Sequence, residues 1–186
     1  MRLFVSIELP QEIKRNLEKV QSQLRSLIKA KWTAPEQFHL TLKFLGETPD
    51  AQLPQITDAL STVRFEIPIA LQLRGIVCFP PHGPIRIIAA AMSDETGACA
   101  ELQSQIDQAC HRAGFPLEGR RWTPHVTIGR VKERTSAAAR TAVTAVNLPQ
   151  VQFEIDEFYL MESRLDQIGP TYIRVATFPG PNHGIA

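Results

Sequence analysis

The sequence is organised around residues 38–47, and in the first half of this segment polar side chains share one face of an otherwise apolar strand. Every second position is apolar: Phe38, Leu40, Leu42 and Phe44. This period of two is typical of a strand with one buried face. The opposite face carries His39, Thr41 and Lys43, so the imidazole and the hydroxyl project together. A slip of one residue would bury the histidine, and the apolar positions therefore fix the register.

The same motif returns in residues 124–130. His125 and Thr127 are again two positions apart, and the apolar Val126 and Ile128 alternate with them. A strand, a long helix, a loop and a His-x-Thr strand follow one another over residues 3–44, and the same order recurs over residues 85–130. This repeat predicts a pseudo-twofold pair of α/β lobes whose His-Thr faces lie opposite each other across a cleft.

Length and composition limit the class of protein. The 186 residues are 44% hydrophobic and 21% charged, and they contain no apolar run long enough to span a bilayer. The first residues read as a strand rather than as a secretory signal. Three cysteines without Cys-x-x-Cys spacing favour a reducing cytoplasm. The net charge of +1 predicts a local basic pocket rather than a broad basic face for any nucleic acid.

Periodicity and turn residues predict the remaining elements. Strands are predicted at 2–8, 65–73, 85–92, 151–160 and 172–178, and helices at 11–28, 54–63, 97–113 and 136–146. A change of phase after Ile155 predicts a β-bulge near Asp156 and Glu157. The tail from residue 179 to 186 is rich in Pro and Gly, and we expect it to be disordered.

Two facing His-Thr pairs point to acid–base chemistry. A metal site needs at least three ligands, and neither motif contains an acidic residue or a cysteine. The chain has neither a Gly-x-Ser-x-Gly elbow nor a Gly-rich phosphate loop followed by Lys-Ser or Lys-Thr. Two imidazoles can serve as general acid and general base, and threonine hydroxyls can donate to phosphate oxygens. This combination suits the displacement of a phosphodiester without metal.

The residues that carry the two motifs also carry a family resemblance. Residues 2–10, 38–46, 124–130 and 157–165, together with Tyr172, resemble the 2H phosphoesterase superfamily, in particular its RNA 2′,3′-cyclic phosphodiesterase branch, also called 2′-5′ RNA ligase-like. The resemblance implies a bilobal α+β fold, in which two antiparallel-rich sheets face a central cleft and the helices lie outside. It implies one domain over residues 1–186, with repeat-like halves at about 1–80 and 81–178.

The resemblance also implies an activity and the roles of the site residues. The activity is hydrolysis of a 2′,3′-cyclic phosphate to a 2′-phosphate without metal or cofactor, with reversible 2′-5′ ligation as a further reaction. By the resemblance, His39 donates a proton to the leaving 3′ oxygen and His125 accepts one from water. Substrate contacts are predicted for the threonines of both motifs and for two basic residues: Thr41, Thr127, Lys43 and Arg130.

The predicted positions of the basic and groove residues depend on the local strand geometry. Strict alternation places Arg130 on the face opposite His125, so Gly129 must allow a twist or bulge. Lys43 is predicted on the His39 face, either at phosphate or as a solvated lysine. Four further side chains are candidates for lining a nucleotide groove: Phe79, Arg120, Arg121 and Trp122. Phe79 and Trp122 are equally expected as core residues. The remaining histidines, His82, His111 and His183, are interpreted as structural or incidental.

The predicted partners are RNA ends or short oligonucleotides that carry a 2′,3′-cyclic phosphate, and we expect a cytoplasmic monomer that makes no use of a membrane. Two alternatives stay open at this stage. One is a related enzyme that acts on a small cyclic nucleotide or on a cyclic phosphate of ADP-ribose. The other is a module that binds RNA ends without chemistry, although binding alone does not require two proton-transfer groups.

Overall fold

A computed structural model describes residues 1–165 and 169–180, which form nine strands and four α-helices. The strands are β1 (Arg2–Glu8), β2 (Lys31–Trp32), β3 (His39–Glu47), β4 (Ile69–Phe79), β5 (Ile87–Ser93), β6 (His125–Arg130), β7 (Gln152–Ile155), β8 (Glu157–Leu165) and β9 (Pro170–Pro179). The helices are α1 (Gln11–Leu24), α2 (Leu53–Ser61), α3 (Ala98–Arg112) and α4 (Ala137–Thr144). None of the helices in this described part is both long and apolar enough to cross a membrane.

The strands form two antiparallel sheets, and each sheet contains one motif strand. The first sheet has the order β3-β1-β8-β9, and the second has the order β2-β6-β5-β4-β7. β3 is therefore an edge strand, whereas β6 lies between β5 and the short β2. β3 and β6 pack against each other, which brings the two His-x-Thr segments together. The predicted α+β class with two antiparallel sheets is confirmed.

The two halves of the sequence exchange strands between the sheets. β4 precedes residue 80 but belongs to the second sheet, and β8 and β9 follow it but belong to the first sheet. A boundary near residue 80 therefore separates the two sequence repeats but not the two sheets. One hydrophobic cluster includes buried side chains from both sheets, such as Leu40 on β3 and Val126 on β6.

The helices pack apolar faces against the sheets, as their periodicity predicts. α1 buries one apolar face, formed by Ile13, Leu17, Val20 and Leu24. The helix ends at Leu24 rather than at residue 28, and Leu27 beyond it is 43% exposed. α1 packs against β6 of the second sheet, and α3 packs against β3 of the first sheet. Each long helix thus supports the motif strand of the opposite sequence half.

Several predicted boundaries are wrong. The predicted strand at 65–73 begins only at Ile69 and runs on to Phe79. The change of phase at Asp156 is not a bulge: β7 ends at Ile155 in the second sheet, and β8 begins at Glu157 in the first. The last strand extends to Pro179, and residues 181–186 of the predicted disordered tail lie outside the described residues.

Candidate active site

The two motif histidines are held by the same local geometry. His39 Nδ1 lies 2.7 Å from the carbonyl oxygen of Gln37, and His125 Nδ1 lies 2.8 Å from the carbonyl oxygen of Thr123. A carbonyl oxygen only accepts, so Nδ1 carries the proton in both rings. In the neutral imidazole Nε2 is then an acceptor, and in the imidazolium it is a donor. Both rings therefore keep Nε2 for chemistry.

The motif threonines share the histidine faces, as the alternation predicts. Thr41 and Thr127 are half-buried, whereas Leu40 and Val126, which precede them, are completely buried. A side chain that precedes the second motif contacts the first one: Trp122 Nε1 donates to the carbonyl oxygen of Thr41 at 3.1 Å. Trp122 is half-buried and packs against the core.

A bulge in β3 overturns the prediction for Lys43. Ser6 of β1 pairs with Thr41, but the next β1 residue toward the N-terminus, Val5, pairs with Lys43, so Leu42 is the extra residue. Leu42 and Lys43 are consequently both buried, and the alternation resumes in the opposite phase. Lys43 does not share the His39 face.

Lys43 instead fastens a loop to β3. Its ammonium lies 2.5 Å from Asp107 Oδ1 and donates to the carbonyl oxygen of Pro116 at 2.7 Å. The Asp107 carboxylate also accepts the backbone N–H of Glu118. The side chain of Lys43 is 3% exposed, so the predicted contact with substrate is wrong in this structure.

The same bulge places Phe44 where Lys43 was expected. The prediction that Phe44 is a core residue is wrong, because it is 65% exposed. Its ring centroid lies 6.2 Å from that of Phe4, whose ring is in turn 4.9 Å from His39. Phe44 therefore extends the aromatic surface beside the first histidine.

β6 contains a bulge at the corresponding position. Ala89 of β5 pairs with Thr127 and Ile88 pairs with Gly129, which leaves Ile128 as the extra residue. The expected irregularity before Arg130 is present, and Arg130 is exposed after it. Burial lowers the pKa of His39, and the positive charge of Arg130 adds to this shift. Burial raises the pKa of Tyr172, and the charge of Arg130 opposes that shift. Arg130 thus acts electrostatically on the histidine of the other motif.

Aromatic rings lie beside both histidines. The ring of Tyr172 lies 5.1 Å from His39 in an edge contact and 5.1 Å from Phe4. On the second sheet, Phe79 lies 4.9 Å from His125, a contact that supports its predicted place in the groove. Phe4 was not among the predicted site residues. The available signal was an apolar side chain in the same strand phase as Ser6 and Glu8.

The environment of His39 disfavours its charged form. Burial is the largest effect and lowers the pKa of His39 below its ordinary value of 6.5, and the charges of Lys14 and Arg130 lower it further. The hydrogen bond with the Gln37 carbonyl and the charge of Glu8 oppose this shift. His39 is therefore mainly neutral in the empty site at neutral pH.

The other candidates lie away from this centre. Arg120 and Arg121 are exposed on the segment that leads to β6, and their contact with a nucleotide stays a prediction. His82 is exposed on the β4–β5 loop, His111 is exposed on α3, and His183 lies outside the described residues. Within residues 1–165 and 169–180, no group of three or more His, Cys, Asp or Glu side chains could hold a metal ion.

Both motifs lie within segments that match a known family. The sequence model of the family described as LigT like phosphoesterase matches residues 7–89 and 91–172, and each matched segment contains one His-x-Thr motif. The chain belongs to the LigT-like phosphoesterase family. The resemblance inferred from the motifs is thereby confirmed.

Known proteins are similar to this chain in sequence and in fold. An RNA 2′,3′-cyclic phosphodiesterase of Methanocaldococcus jannaschii is 31% identical over 92% of this chain and 96% of its own length. The crystal structure of TT0787 from Thermus thermophilus is 28% identical, covers 98% of this chain and 100% of its own, and superposes with a TM-score of 0.83. Escherichia coli LigT complexed with 3′-AMP has the same fold, at 20% identity, a TM-score of 0.79 and coverage of 97% and 98%.

Proposed function

We propose that this LigT-like protein hydrolyses RNA 2′,3′-cyclic phosphate ends to 2′-phosphates by two-histidine acid–base catalysis. The observation that carries the proposal is the matched hydrogen bonding of His39 and His125 through Nδ1, which leaves two Nε2 atoms for proton transfer. The curated name of the 31% identical relative supports the substrate class.

Hydrolysis needs one proton transfer on each side of the phosphorus. His125 Nε2 accepts a proton from water as its oxygen attacks, and a new phosphorus–oxygen bond forms. The bond from phosphorus to the 3′ oxygen breaks, and that oxygen takes a proton from His39 Nε2. The products are a 2′-phosphate and a free 3′ hydroxyl, and the enzyme returns to its starting state after the histidines exchange protons with solvent.

Three further side chains suit the charge that develops on the phosphate. The hydroxyls of Thr41 and Thr127 lie on the histidine faces and can each donate to a non-bridging oxygen. Arg130 supplies a permanent positive charge that already reaches His39. Hydrogen bonds and charges that are in place before reaction stabilise the transition state without reorganisation.

Because the pKa of His39 is lowered in the free protein, substrate binding is expected to promote the protonation of His39. In the empty cleft, burial and the neighbouring cations favour neutral His39. A cyclic phosphodiester carries one negative charge, which favours the imidazolium. The bound substrate therefore raises the pKa of the group that must donate the proton.

The proposal also covers the reverse reaction, the domain organisation and the state of the protein in the cell. Ligation is the reverse reaction, in which His39 accepts the proton of an incoming hydroxyl. The whole chain, residues 1–186, acts as one catalytic domain, and the main hydrophobic cluster supports this because both sheets contribute to it. We expect it to work as a cytoplasmic monomer, and all three of its cysteines are free and buried.

The decisive experiment uses an oligoribonucleotide with a 2′,3′-cyclic phosphate end. We expect hydrolysis to the 2′-phosphate isomer alone, identified by ³¹P NMR. 2′,3′-cyclic AMP and a cyclic phosphate of ADP-ribose serve as comparison substrates. A higher kcat/KM on either small molecule favours the related small-substrate enzyme, and tight RNA-end binding without turnover favours the binding module. A 3′-phosphate product contradicts the assignment of donor and acceptor.

A further inference from the structure

One bulge in each motif strand is met by a glutamine from the opposite half of the sequence. Gln21 of α1 donates through Nε2 to the carbonyl oxygen of Ile128, the extra residue of β6, at 2.7 Å. Gln103 of α3 donates through Nε2 to the carbonyl oxygen of Leu42, the extra residue of β3, at 3.3 Å. The arrangement is reciprocal, since α1 follows β1 and α3 follows β5 in the repeated order of elements.

At the β3 bulge, side chains of the second half supply donors that the sheet does not. In β3 the consecutive carbonyl oxygens of Thr41 and Leu42 both accept hydrogen bonds from side chains of the second half, one from Trp122 and one from Gln103. β3 is the edge of its sheet, so no strand lies beyond it to supply donors. A buried carbonyl oxygen without a hydrogen-bond donor lowers stability by about 1–3 kcal/mol. The two consecutive carbonyl oxygens at this bulge therefore need donors from outside the sheet.

The side-chain amide of Gln21 makes two hydrogen bonds, whereas that of Gln103 makes one. The Gln21 amide donates to the carbonyl oxygens of both Thr33 and Ile128, each at 2.7 Å, so both N–H groups are used. The Ile128 carbonyl also accepts the backbone N–H of Thr33 at 3.1 Å. Gln21 therefore joins the segment after β2 to the bulge of β6.

Both glutamines occupy positions that packing alone would give to apolar residues. Gln21 is 2% exposed and Gln103 is 7% exposed, and each lies beside buried aliphatic residues of its helix. Burial of an amide is unfavourable unless its hydrogen bonds are made. The buried amides are therefore explained by the hydrogen bonds that they donate to the carbonyl oxygens of the bulges.

We propose that Gln21 and Gln103 are positioning residues that hold the two bulges and thereby turn Arg130 and Phe44 onto the histidine faces of the cleft. Without the bulge, strict alternation would point Arg130 away from His125. The part that concerns turnover rests on the proposed function, in which Arg130 supplies charge at the phosphate.

The kinetic test replaces Gln21 by methionine, which has similar length and no donor. We expect Gln21→Met to lower kcat/KM for the cyclic-phosphate oligonucleotide by about tenfold to a hundredfold, the scale of a misplaced site residue. Val20→Ala, a buried change on the same helix, is the control for lost stability and should leave kcat/KM near the original value well below its Tm. Equal activities of Gln21→Met and Val20→Ala would overturn the proposal.

A double-mutant cycle with Arg130→Ala tests the route of the effect. If Gln21 acts through Arg130, most of the loss caused by Gln21→Met disappears in the Arg130→Ala background. A loss of the same size in both backgrounds would overturn the proposal. Should Gln21→Met fail to fold, Gln21→Asn takes its place, because its amide is one methylene too short to reach both carbonyls.

Crystal structures of Gln21→Met and Gln103→Met separate this inference from the proposed function. We expect the bulge at Ile128 or Leu42 to be lost and Arg130 or Phe44 to leave the histidine face. Unmoved bulges in both variants would overturn the inference whatever the kinetics. If the oligonucleotide is not turned over, or Arg130→Ala alone has no effect, the proposed function fails in that respect, and the crystal structures still decide whether the glutamines hold the bulges.

Discussion

At the scale of the residue, the two histidines differ in environment although their hydrogen bonds match. Each presents Nε2 because a carbonyl two residues upstream accepts from Nδ1–H. His39 also contacts the rings of Phe4 and Tyr172, and its pKa is lowered by burial and by nearby cations. The same residue type can therefore serve as acid or base according to its surroundings.

Removal of either motif imidazole is expected to abolish most turnover. His39→Ala and His125→Ala should each lower kcat by roughly a hundredfold to ten-thousandfold, since each removes one proton-transfer group. Steady-state kinetics on the cyclic-phosphate oligonucleotide measure the effect, and circular dichroism checks the fold. His82→Ala, a change at an exposed loop histidine, is the control. Near-original rates in both folded variants would contradict the two-histidine mechanism.

The pH dependence of the single-histidine variants tests the assigned roles. In His125→Ala the residual kcat/KM should fall as the pH rises, with a midpoint below 6.5, because only protonated His39 donates and its pKa is lowered. The midpoint of kcat should lie at higher pH, because the bound phosphate anion favours the imidazolium.

In His39→Ala the residual kcat/KM should instead rise with pH, since only neutral His125 accepts a proton. The unaltered enzyme should show a bell-shaped profile whose limbs belong to the coupled pair. NMR titration of the His39 ring in the free protein gives an independent midpoint. A His125→Ala variant whose activity increases with pH would reverse the roles.

At the scale of the element, the bulges in β3 and β6 decide which side chains reach the cleft. One extra residue inverts the phase of the residues after it. In β3 this inversion buries Lys43 against Asp107, and in β6 it exposes Arg130. Lys43 and Gly129 each follow the extra residue of their strand directly and therefore correspond to each other. Phe44 and Arg130 correspond in the same way, one position later. Gly129 suits this place because an added Cβ would lie 2.9 Å from the ring of Trp32.

Lys43→Met should reduce stability rather than substrate affinity. The change leaves the mostly buried Asp107 carboxylate without its ammonium partner, and breaking a buried pair typically costs about 3–5 kcal/mol. We expect the lower end, since Asp107 keeps the N–H of Glu118. Urea unfolding measures the change. Lys29→Met is the matched control, because the ion pair of Lys29 with Glu133 is exposed and such pairs contribute about 0–1 kcal/mol. Equal stability of the two variants, with a raised KM in Lys43→Met, would favour the original phosphate-binding prediction.

At the scale of the whole molecule, the cleft is built by exchange between the sequence halves. β4 joins the second sheet, β8 and β9 join the first, and α1 and α3 each pack on the motif strand of the other half. Trp122 and both glutamines cross in the same way. The two histidine faces therefore depend on one shared core, and damage to one half should affect both motifs.

Chelation tests the chemistry of the complete enzyme. We expect activity to survive exhaustive treatment with EDTA and 1,10-phenanthroline, because two imidazoles and one arginine supply the proton transfers and the charge that a metal would otherwise provide. Turnover of the cyclic-phosphate oligonucleotide is measured before and after dialysis, with a known zinc-dependent phosphodiesterase as the positive control. Loss of activity that zinc or manganese restores would disprove the metal-free mechanism.

Features that depend on local periodicity could be predicted from the sequence alone. A period of two placed His39 with Thr41 and His125 with Thr127 on strand faces, and a period near 3.6 predicted α1 and α3. These patterns act within a few residues, so no knowledge of the partner strand is needed to read them. The two motifs together also indicated the family.

Tertiary structure alone decided the orientation of the residues just after each motif. The alternation predicted Phe44 in the core and Lys43 in the cleft, and both predictions were wrong because the pairing with β1 inserts an extra residue. The sequence likewise could not show that the chain changes sheets at Asp156. Bulges and sheet exchange are stabilised by partners distant in the chain, such as Gln103 for Leu42, and no local pattern encodes those contacts.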